Sequence, residues 1–472
     1  MIAALGQRVS RVFQAIVPDP FAIAIGLTVL TGGIALAFGS FAGLPADHGL
    51  GARAAALVDA WSDESTGLWR FLKFGMQMCL ILVTGYALAA SGPVSRGLDA
   101  ITRWPATPRR AVWLVATTAA TLGLVNWGLS LMAGAILASR MHAAMRERGV
   151  GVPLPLLAAA GYLGLLTWHG GLSGTAPFSM TTAQAASSIM PAAEFERLAG
   201  GGLALTRTVL SPINLVASGG VVLLAPLVLA ALTPATARVT PAAPPVAAPQ
   251  SAAPAATGFV GFVERSPIVP CILAALLVVV LVRYGGSRGW LRPGLNEVNA
   301  AMLAIGLVAH GSLRSYVAAA ERGAAACVGI ILQFPLYGGI MGMMAASGLA
   351  AGIAGGLAGL STPQTMPLFT FASAAVLNLF VPSGGGQWAI QGPIVLEAGA
   401  AADADPALLV LAVAYGDQLT NMLQPFWALP LLTITGASAR DVVGYTALVM
   451  LAAAAWIGGC LVVAGVLSGT GG

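Results

Sequence analysis

The stretch Asn378-Leu379-Phe380-Val381-Pro382-Ser383-Gly384-Gly385-Gly386-Gln387-Trp388 lies within residues 323–396, which carry no charged side chain. An uncharged run of that length has the composition of membrane helices, not of a soluble core element. Proline followed by three glycines stops a helix. In lipid, freed backbone groups cost several kcal/mol each, so such a break survives inside protein or beside a cavity. A helix restarting after the glycines presents unpaired N–H groups and a positive dipole end, a ready site for a carboxylate. Asn378, Ser383, Gly384, Gly385, Gly386, Gln387 and Gln391 are therefore candidate anion ligands. The plain alternative is an interhelical loop or a close-packed glycine patch.

The rest of the chain has the same character. Of 472 residues, 57% are hydrophobic and 8% charged, with a mean hydropathy of +0.86. A soluble domain carries about 25% charged residues, so lipid is the expected solvent. The apolar runs are helix-length and lack the alternation of outer-membrane strands. The +5 net charge is no nucleic-acid footprint, because the arginines cluster in short loops beside apolar runs, the pattern of cytoplasmic retention. Cys79, Cys271, Cys327 and Cys460 lie in apolar segments without paired spacing and read as packing residues, neither metal ligands nor a disulfide frame. Arg8 and Arg11 before the run from Phe21 resemble a signal peptide, but the length of that run favours an uncleaved first span.

The uncharged runs divide the chain into an N-terminal repeat (1–232), a Pro/Ala-rich cytoplasmic linker (233–265) and a C-terminal repeat (266–472). Spans are expected at about 21–39, 74–95, 154–180 and 208–232, then at 266–282, 298–313, 323–347, 407–432 and 443–467. Residues 111–139 form a run of roughly 43 Å as one helix, too long for one upright crossing of a core about 30 Å thick and too short for two. Arg96, Arg103, Arg109 and Arg110 precede this run, and Arg140, Arg146 and Arg148 follow it. Both ends therefore face the cytoplasm. The expectation is a re-entrant hairpin with its tip at Asn126-Trp127-Gly128. With the N-terminus cytoplasmic, residues 368–397 become a second hairpin entering from outside. The loop with Arg283, Arg288 and Arg292 disagrees with that orientation.

The two halves echo each other. Gln77, Ser91, Asn126, Tyr162, Thr167 and Pro177 match Gln333, Ser347, Asn378, Tyr415, Thr420 and Pro430 at offsets of 252 to 256 residues. An odd number of crossings separates equivalent helices, so the repeats are inverted. Inverted repeats with broken helices mark secondary transporters, with the site at the repeat interface. The fold class expected is an all-α polytopic membrane protein of two inverted repeats, each with a re-entrant helical hairpin and a broken transmembrane helix.

Two further segments carry chemistry. In Tyr415-Gly416-Asp417-Gln418-Leu419-Thr420-Asn421-Met422-Leu423-Gln424-Pro425, Asp417 is the one acidic residue of the run 406–439. An intramembrane carboxylate is costly and marks function or a structural ion pair. It can take up a proton or coordinate Na⁺, with Thr420, Gln424 and carbonyls loosened by Pro425 beside it. Asn421 lies four residues on, near the same helical face. Its mate is Thr167-Trp168-His169-Gly170-Gly171-Leu172-Ser173-Gly174-Thr175-Ala176-Pro177. Ser173 and Thr175 are candidate ligands, and Thr167 and His169 are candidate coupling residues, although a lone His is more often a satisfied interior residue. Trp127, Trp388, Phe426 and Trp427 form an expected apolar wall. No cofactor is expected beyond a coupling Na⁺ or H⁺.

These strings also resemble a known family, the bacterial short-chain fatty acid transporters, over nearly the whole chain. Phe74-Gly75-Met76-Gln77-Met78, Asn126-Trp127-Gly128, Val381 to Pro393 and Gln424 to Pro430 carry the resemblance. It implies inner-membrane uptake of short-chain monocarboxylates such as acetoacetate and butyrate. It also implies two re-entrant hairpins and elevator motion of a transport domain against a scaffold. Gln387 stands where the family has His, His169 where it has Gly, and Asp417 where it has Glu. The last exchange keeps a carboxylate. The competing readings are an integral-membrane enzyme acting on an acyl or lipid substrate with His169 and Asp417 as acid and base, and a passive channel. The partners expected are the monocarboxylate and the lipid bilayer. The Gly- and Ala-rich stretch Gly348–Gly359 is a candidate surface for a homodimer.

Overall fold

A computed structural model describes residues 20–45, 49–187, 189–234, 258–288, 290, 295–359 and 361–469. Arg8, Arg11, Asp47, Arg292 and the proline-rich linker between 235 and 257 lie outside the described residues.

The helices of the first half are α1 (Pro20–Phe38), α2 (Leu50–Ser62), α3 (Leu72–Ala90), α4 (Gly92–Thr102), α5 (Pro108–Val125), α6 (Trp127–Glu147), α7 (Leu154–Tyr162), α8 (Thr175–Ser179), α9 (Ala183–Ala186), α10 (Ala192–Ala199) and α11 (Pro212–Ala231). Those of the second are α12 (Gly258–Arg265), α13 (Ile268–Arg288), α14 (Leu295–His310), α15 (Leu313–Ala324), α16 (Val328–Ala346), α17 (Leu349–Ala358), α18 (Met366–Asn378), α19 (Gly384–Ala401), α20 (Pro406–Thr420), α21 (Pro425–Thr435) and α22 (Ala439–Gly469). Every regular element among the described residues is helical, as the composition requires. Five of the described helices are long and apolar enough to cross a membrane, and the pair α3–α4, bent by 70°, brings the number to six.

Both halves run through one order of elements. Outer helices, two described in the first half and four in the second, are followed by a pair hinged at Ser-Gly (Ser91-Gly92, Ser347-Gly348), a hairpin, an interrupted helix and a long final helix. The halves exchange their outer parts. Helices α1 and α2 pack on α16 of the second half, whereas α14 and α15 pack on α3 of the first.

Local chemistry sets the helix ends. Helices α5, α11 and α20 each begin with Pro after a capping side chain, Thr107, Ser211 and Asp405 respectively. The missing proline N–H falls where no carbonyl would receive it. The first hairpin turns at one residue: α5 ends at Val125, and the Asn126 side chain caps α6 by accepting from the Leu129 N–H at 2.9 Å. Across its arms the Ser130 hydroxyl donates to the Ala119 carbonyl at 2.7 Å. Helices α6 and α7 cross at glycines, where a Cβ on Gly134 would lie 2.9 Å from the Gly161 carbonyl carbon. Apolar helices in lipid associate by such close backbone approach, since burial from water contributes little there.

Charged side chains gather at the ends of the bundle. Arg140 pairs with Asp99 at 2.9 Å. Arg148 donates to the Thr102 carbonyl at 2.6 Å, at the C-terminal end of α4 where a cation is favoured. Arg207 pairs with Asp405 at 2.7 Å, and Arg197 pairs with Glu397.

Candidate functional site

In each half a helix after the hairpin is interrupted by 3-10 turns. After α7 the chain passes through 3-10 turns at Leu163–Leu166 and Trp168–Gly170 before α8. After α20 it makes one 3-10 turn, Asn421–Leu423, before α21. Pro425 forces Gln424 into an extended conformation, with φ −98° and ψ 98°. Most of the freed groups are bonded by the opposite half. The Tyr162 hydroxyl donates to the carbonyls of Asn421 (2.9 Å) and Gln424 (3.1 Å). Asn421 Nδ2 donates to the Leu165 carbonyl at 3.4 Å. Asn214 on α11 donates to the Gly170 carbonyl at 2.8 Å, and its Oδ1 accepts from the Tyr415 hydroxyl at 2.8 Å. Gln418 Oε1 accepts from the N–H groups of His169 (3.0 Å) and Gly170 (3.3 Å). The two breaks thus form one polar layer inside apolar helices, and carbonyls that the sequence left open to a cation have protein donors.

The second hairpin lies against this layer. Ser383 caps α19, its hydroxyl accepting from the Gly386 N–H at 3.3 Å. Asn378 Nδ2 donates to the Asp417 carbonyl (2.6 Å), Thr420 Oγ1 (3.0 Å) and Asn421 Oδ1 (3.1 Å). Gln424 Nε2 donates back to the Asn378 carbonyl at 2.6 Å. The side-chain oxygens of Asn378 and Gln424 and one oxygen of Asp417 are buried without a hydrogen-bond partner.

Where the breaks and tips meet there is a partly open cavity. Its walls are Met78, Trp127, Leu165, Trp168, Thr175, Gly384, Gly385, Asn421 and Trp427. The Trp127 ring lies between those of Trp427, 5.5 Å away, and Trp168, 6.5 Å away, both edge-on. A Cβ on Gly384 would be 2.8 Å from His169 Cε1, Thr175 Oγ1 and the Trp168 ring. A Cβ on Gly385 would meet nothing within 4 Å, so this residue exposes its backbone to the cavity. The N–H groups of Gly384 and Gly385 occupy the first turn of α19, where no carbonyl one turn back can accept them. An apolar box with a few backbone donors at one wall suits a small molecule with one anionic end.

Behind the cavity wall, His169 Nδ1 lies 2.7 Å from Asp417 Oδ2, both side chains buried. On the other edge, Nε2 accepts from the Ala176 N–H at 3.0 Å and lies 3.1 Å from Thr175 Oγ1. The ring stacks on Trp168 with centroids 4.3 Å apart.

The sequence-derived candidates therefore divide. Trp127, Thr175, Gly384, Gly385 and Asn421 reach the cavity, and His169 and Asp417 meet directly. Asn126 caps α6, Ser383 caps α19, and Ser173 accepts from the Trp127 N–H at 3.2 Å, fastening the first hairpin tip to the first break. Gly128 packs on Ile81 and Gly386 on Met341. Gln387 and Gln391 cross-link the arms of the second hairpin, bonding each other at 2.9 Å, Ala374 O at 2.8 Å and Ser373 at 2.8 Å. Thr167 donates to the Ala120 carbonyl at 2.8 Å. Thr420 and Gln424 belong to the Asn378 cluster. Trp388 is buried in a separate apolar cluster and is not among the cavity walls. Sequence reasoning missed Met78, Leu165 and Trp168 as walls, and Asn214 and Gln418 as the donors and acceptors that brace the breaks. A polar side chain alone in an apolar run, such as Asn214, was the available signal.

Comparison with known proteins places the chain among relatives. The model of the family described as short chain fatty acid transporter matches residues 1–464. A protein of Escherichia coli K12, provisionally named short-chain fatty acid transporter, is 34% identical over 94% of this chain and 96% of its own length. One of Haemophilus influenzae with the same provisional name is 34% identical over 94% of this chain and 97% of its own. Among solved structures, the YdaH transporter of Alcanivorax borkumensis is 16% identical with a TM-score of 0.42, covering 96% of this chain and 99% of its own. MtrF of Neisseria gonorrhoeae is 16% identical with a TM-score of 0.41, covering 96% of each chain.

Proposed function

We propose, from the premise that this chain belongs to the short-chain fatty acid transporter family and is a multi-pass membrane transporter, that it takes up small monocarboxylates such as butyrate and acetoacetate by secondary active transport. The observation that carries this reading is the cavity where Gly384 and Gly385 meet Trp127, Trp168 and Trp427. The first-turn N–H groups of α19 and its dipole end receive the carboxylate. The tryptophan walls receive the short tail, each buried CH₂ being worth about 0.8 kcal/mol.

The two hairpins are re-entrant, and the halves are inverted in the inner membrane with the N-terminus cytoplasmic. Arg109, Arg110, Arg140 and Arg148 at the ends of the first hairpin support that orientation. Transport is coupled to an inward ion gradient of H⁺ or Na⁺ through Asp417. The interlocked breaks and hairpin tips move as one body against α3, α16 and their outer helices, in the manner of an elevator. No cofactor takes part, and the partners are the substrate and the bilayer.

Purified protein in liposomes is expected to take up labelled butyrate faster than protein-free vesicles, with competition by acetate, acetoacetate and hexanoate. Uptake no faster than that of protein-free vesicles, under either a proton or a sodium gradient, would overturn the reading.

A further inference from the structure

The contacts of His169 define more than burial. A backbone N–H can only donate, so the Ala176 N–H at 3.0 Å from Nε2 requires that nitrogen to carry a lone pair. The ring hydrogen then sits on Nδ1 and is donated to Asp417 Oδ2 at 2.7 Å. Geometry thus fixes the tautomer of a neutral ring. Thr175 Oγ1 lies 3.1 Å from the same Nε2 and also forms part of the cavity wall. A hydroxyl can accept a proton from one side while it donates to the other. Thr175, His169 and Asp417 therefore make an unbroken line from the cavity to a buried carboxylate.

We propose that this line is a proton relay, and that the ion taken up with the carboxylate substrate is a proton stored on Asp417. This rests on the transport reading above and names its coupling ion. The substrate arrives as the undissociated acid. Its proton passes to Thr175 Oγ while the Thr175 hydroxyl proton moves to His169 Nε2. The Nδ1 proton moves to Asp417 Oδ2. The products are a bound carboxylate, a neutral His169 with hydrogen on Nε2, and a neutral Asp417. No atom or charge is left over.

Electrostatics favour this order of events. Among the described residues the ion-pair partner of Asp417 is His169. The other titratable groups on the surrounding elements are Tyr162 and Tyr415, both donating to amide oxygens, and Tyr445 and Cys460 on α22. Arg109 and Arg110 begin α5, Arg440 and Asp441 begin α22, and Glu397 near the end of α19 is paired with Arg197. Among the described residues no arginine or lysine therefore offsets a second negative charge beside Asp417. Two carboxylates sharing a low-dielectric site do not both stay ionised. A substrate held as the anion therefore requires a neutral Asp417, and the relay delivers the substrate's own proton to it.

The relay also links loading to structure. Hydrogen on Nε2 cannot coexist with the Ala176 N–H bond, so loading releases that amide from His169. The released segment carries Thr175, and both Thr175 and His169 press on Gly384 at the second hairpin tip. Proton storage and the seating of the tip on the first break are thus one event.

The test uses the full-length protein in liposomes, reading initial butyrate uptake above that of protein-free vesicles with and without an inward proton gradient. Wild type is expected to be accelerated by the gradient and not by a sodium gradient. In Thr175→Val the acceleration is expected to disappear, and in Thr175→Ser to persist. Equal acceleration in Thr175→Val and wild type, or acceleration of wild type by sodium alone, overturns the relay while leaving transport intact. Wild type that does not exceed protein-free vesicles overturns both readings. Nitrogen-15 spectra of the wild-type histidine rings give a second readout independent of variant folding. The His169 hydrogen is expected on Nδ1 without butyrate and on Nε2 with it, and an unchanged tautomer overturns the relay.

Discussion

Gly384 and His169 come from opposite halves of the chain, yet they approach until the glycine has no room for a side chain: an added Cβ would lie 2.8 Å from His169 Cε1. The neighbouring Gly385 faces the cavity with nothing within 4 Å of an added Cβ. Gly384→Ala must therefore push the tip of the second hairpin off the first break, at an overpacking cost of about 1–3 kcal/mol. Gly385→Ala should fold like wild type. Thermal unfolding in detergent checks the contrast, and equal midpoints for the two variants would refute it.

The tryptophan box should set chain length. Trp427 lies 5.5 Å from Trp127 and 6.0 Å from Phe334, so its ring closes one wall. Trp427→Leu keeps the wall apolar but makes it smaller. Competition assays should show hexanoate gaining on butyrate by up to about 0.8 kcal/mol for each newly buried CH₂, roughly fourfold. An unchanged order of inhibition would place the tail elsewhere.

Asn126 and Asn378 are mates in sequence but not in structure. Asn126 caps a helix, a role filled in the second hairpin by Ser383. Asn378 Nδ2 is placed among three acceptors in the buried layer. Asn126→Ala should cost about 1 kcal/mol of stability. Asn378→Ala should cost more, about 1–3 kcal/mol for each acceptor left bare. Denaturation of both variants in the same detergent decides it, and a larger loss for Asn126→Ala would count against the assignment.

Arg197 on α10 and Glu397 tie the first half to the second hairpin, but both side chains are more than half exposed. Exposed pairs contribute about 0–1 kcal/mol. Arg197→Ala should leave uptake and the unfolding midpoint nearly unchanged, and a large loss of uptake would assign the pair a role in hairpin movement.

Asp63, in the loop between α2 and α3, accepts from the backbone and side chains of Thr66 and Ser65. These bonds, the Thr66 N–H first, hold its pKa down at about 2 from 3.8. A lowered folded-state value stabilises the loop above the unfolded pKa, and that contribution is lost as pH falls through about 2. A carbon-13 titration of the Asp63 carboxyl should show it ionised at pH 3, and a midpoint near 3.8 would refute the turn geometry.

Sequence by itself determined the solvent, the helical class and the position of each interruption. Those features follow from composition and from local backbone chemistry: uncharged runs, Pro425, and the glycines at 384–386 and 170–171 act on their own neighbours. The repeat offset paired Asn126 with Asn378, yet the cap that Asn126 makes is made in the second hairpin by Ser383. Tertiary structure alone decided which polar groups face the cavity and which brace it. Gln387 and Gln391 looked like ligands beside the triple glycine, yet they bond across their own hairpin. His169, an unremarkable candidate in a lone run, became the partner of Asp417 because two breaks 248 positions apart in sequence interlock. In a chain this poor in polar groups, each buried donor needs an acceptor. Which one it finds depends on how the helices cross, not on what stands beside it in sequence.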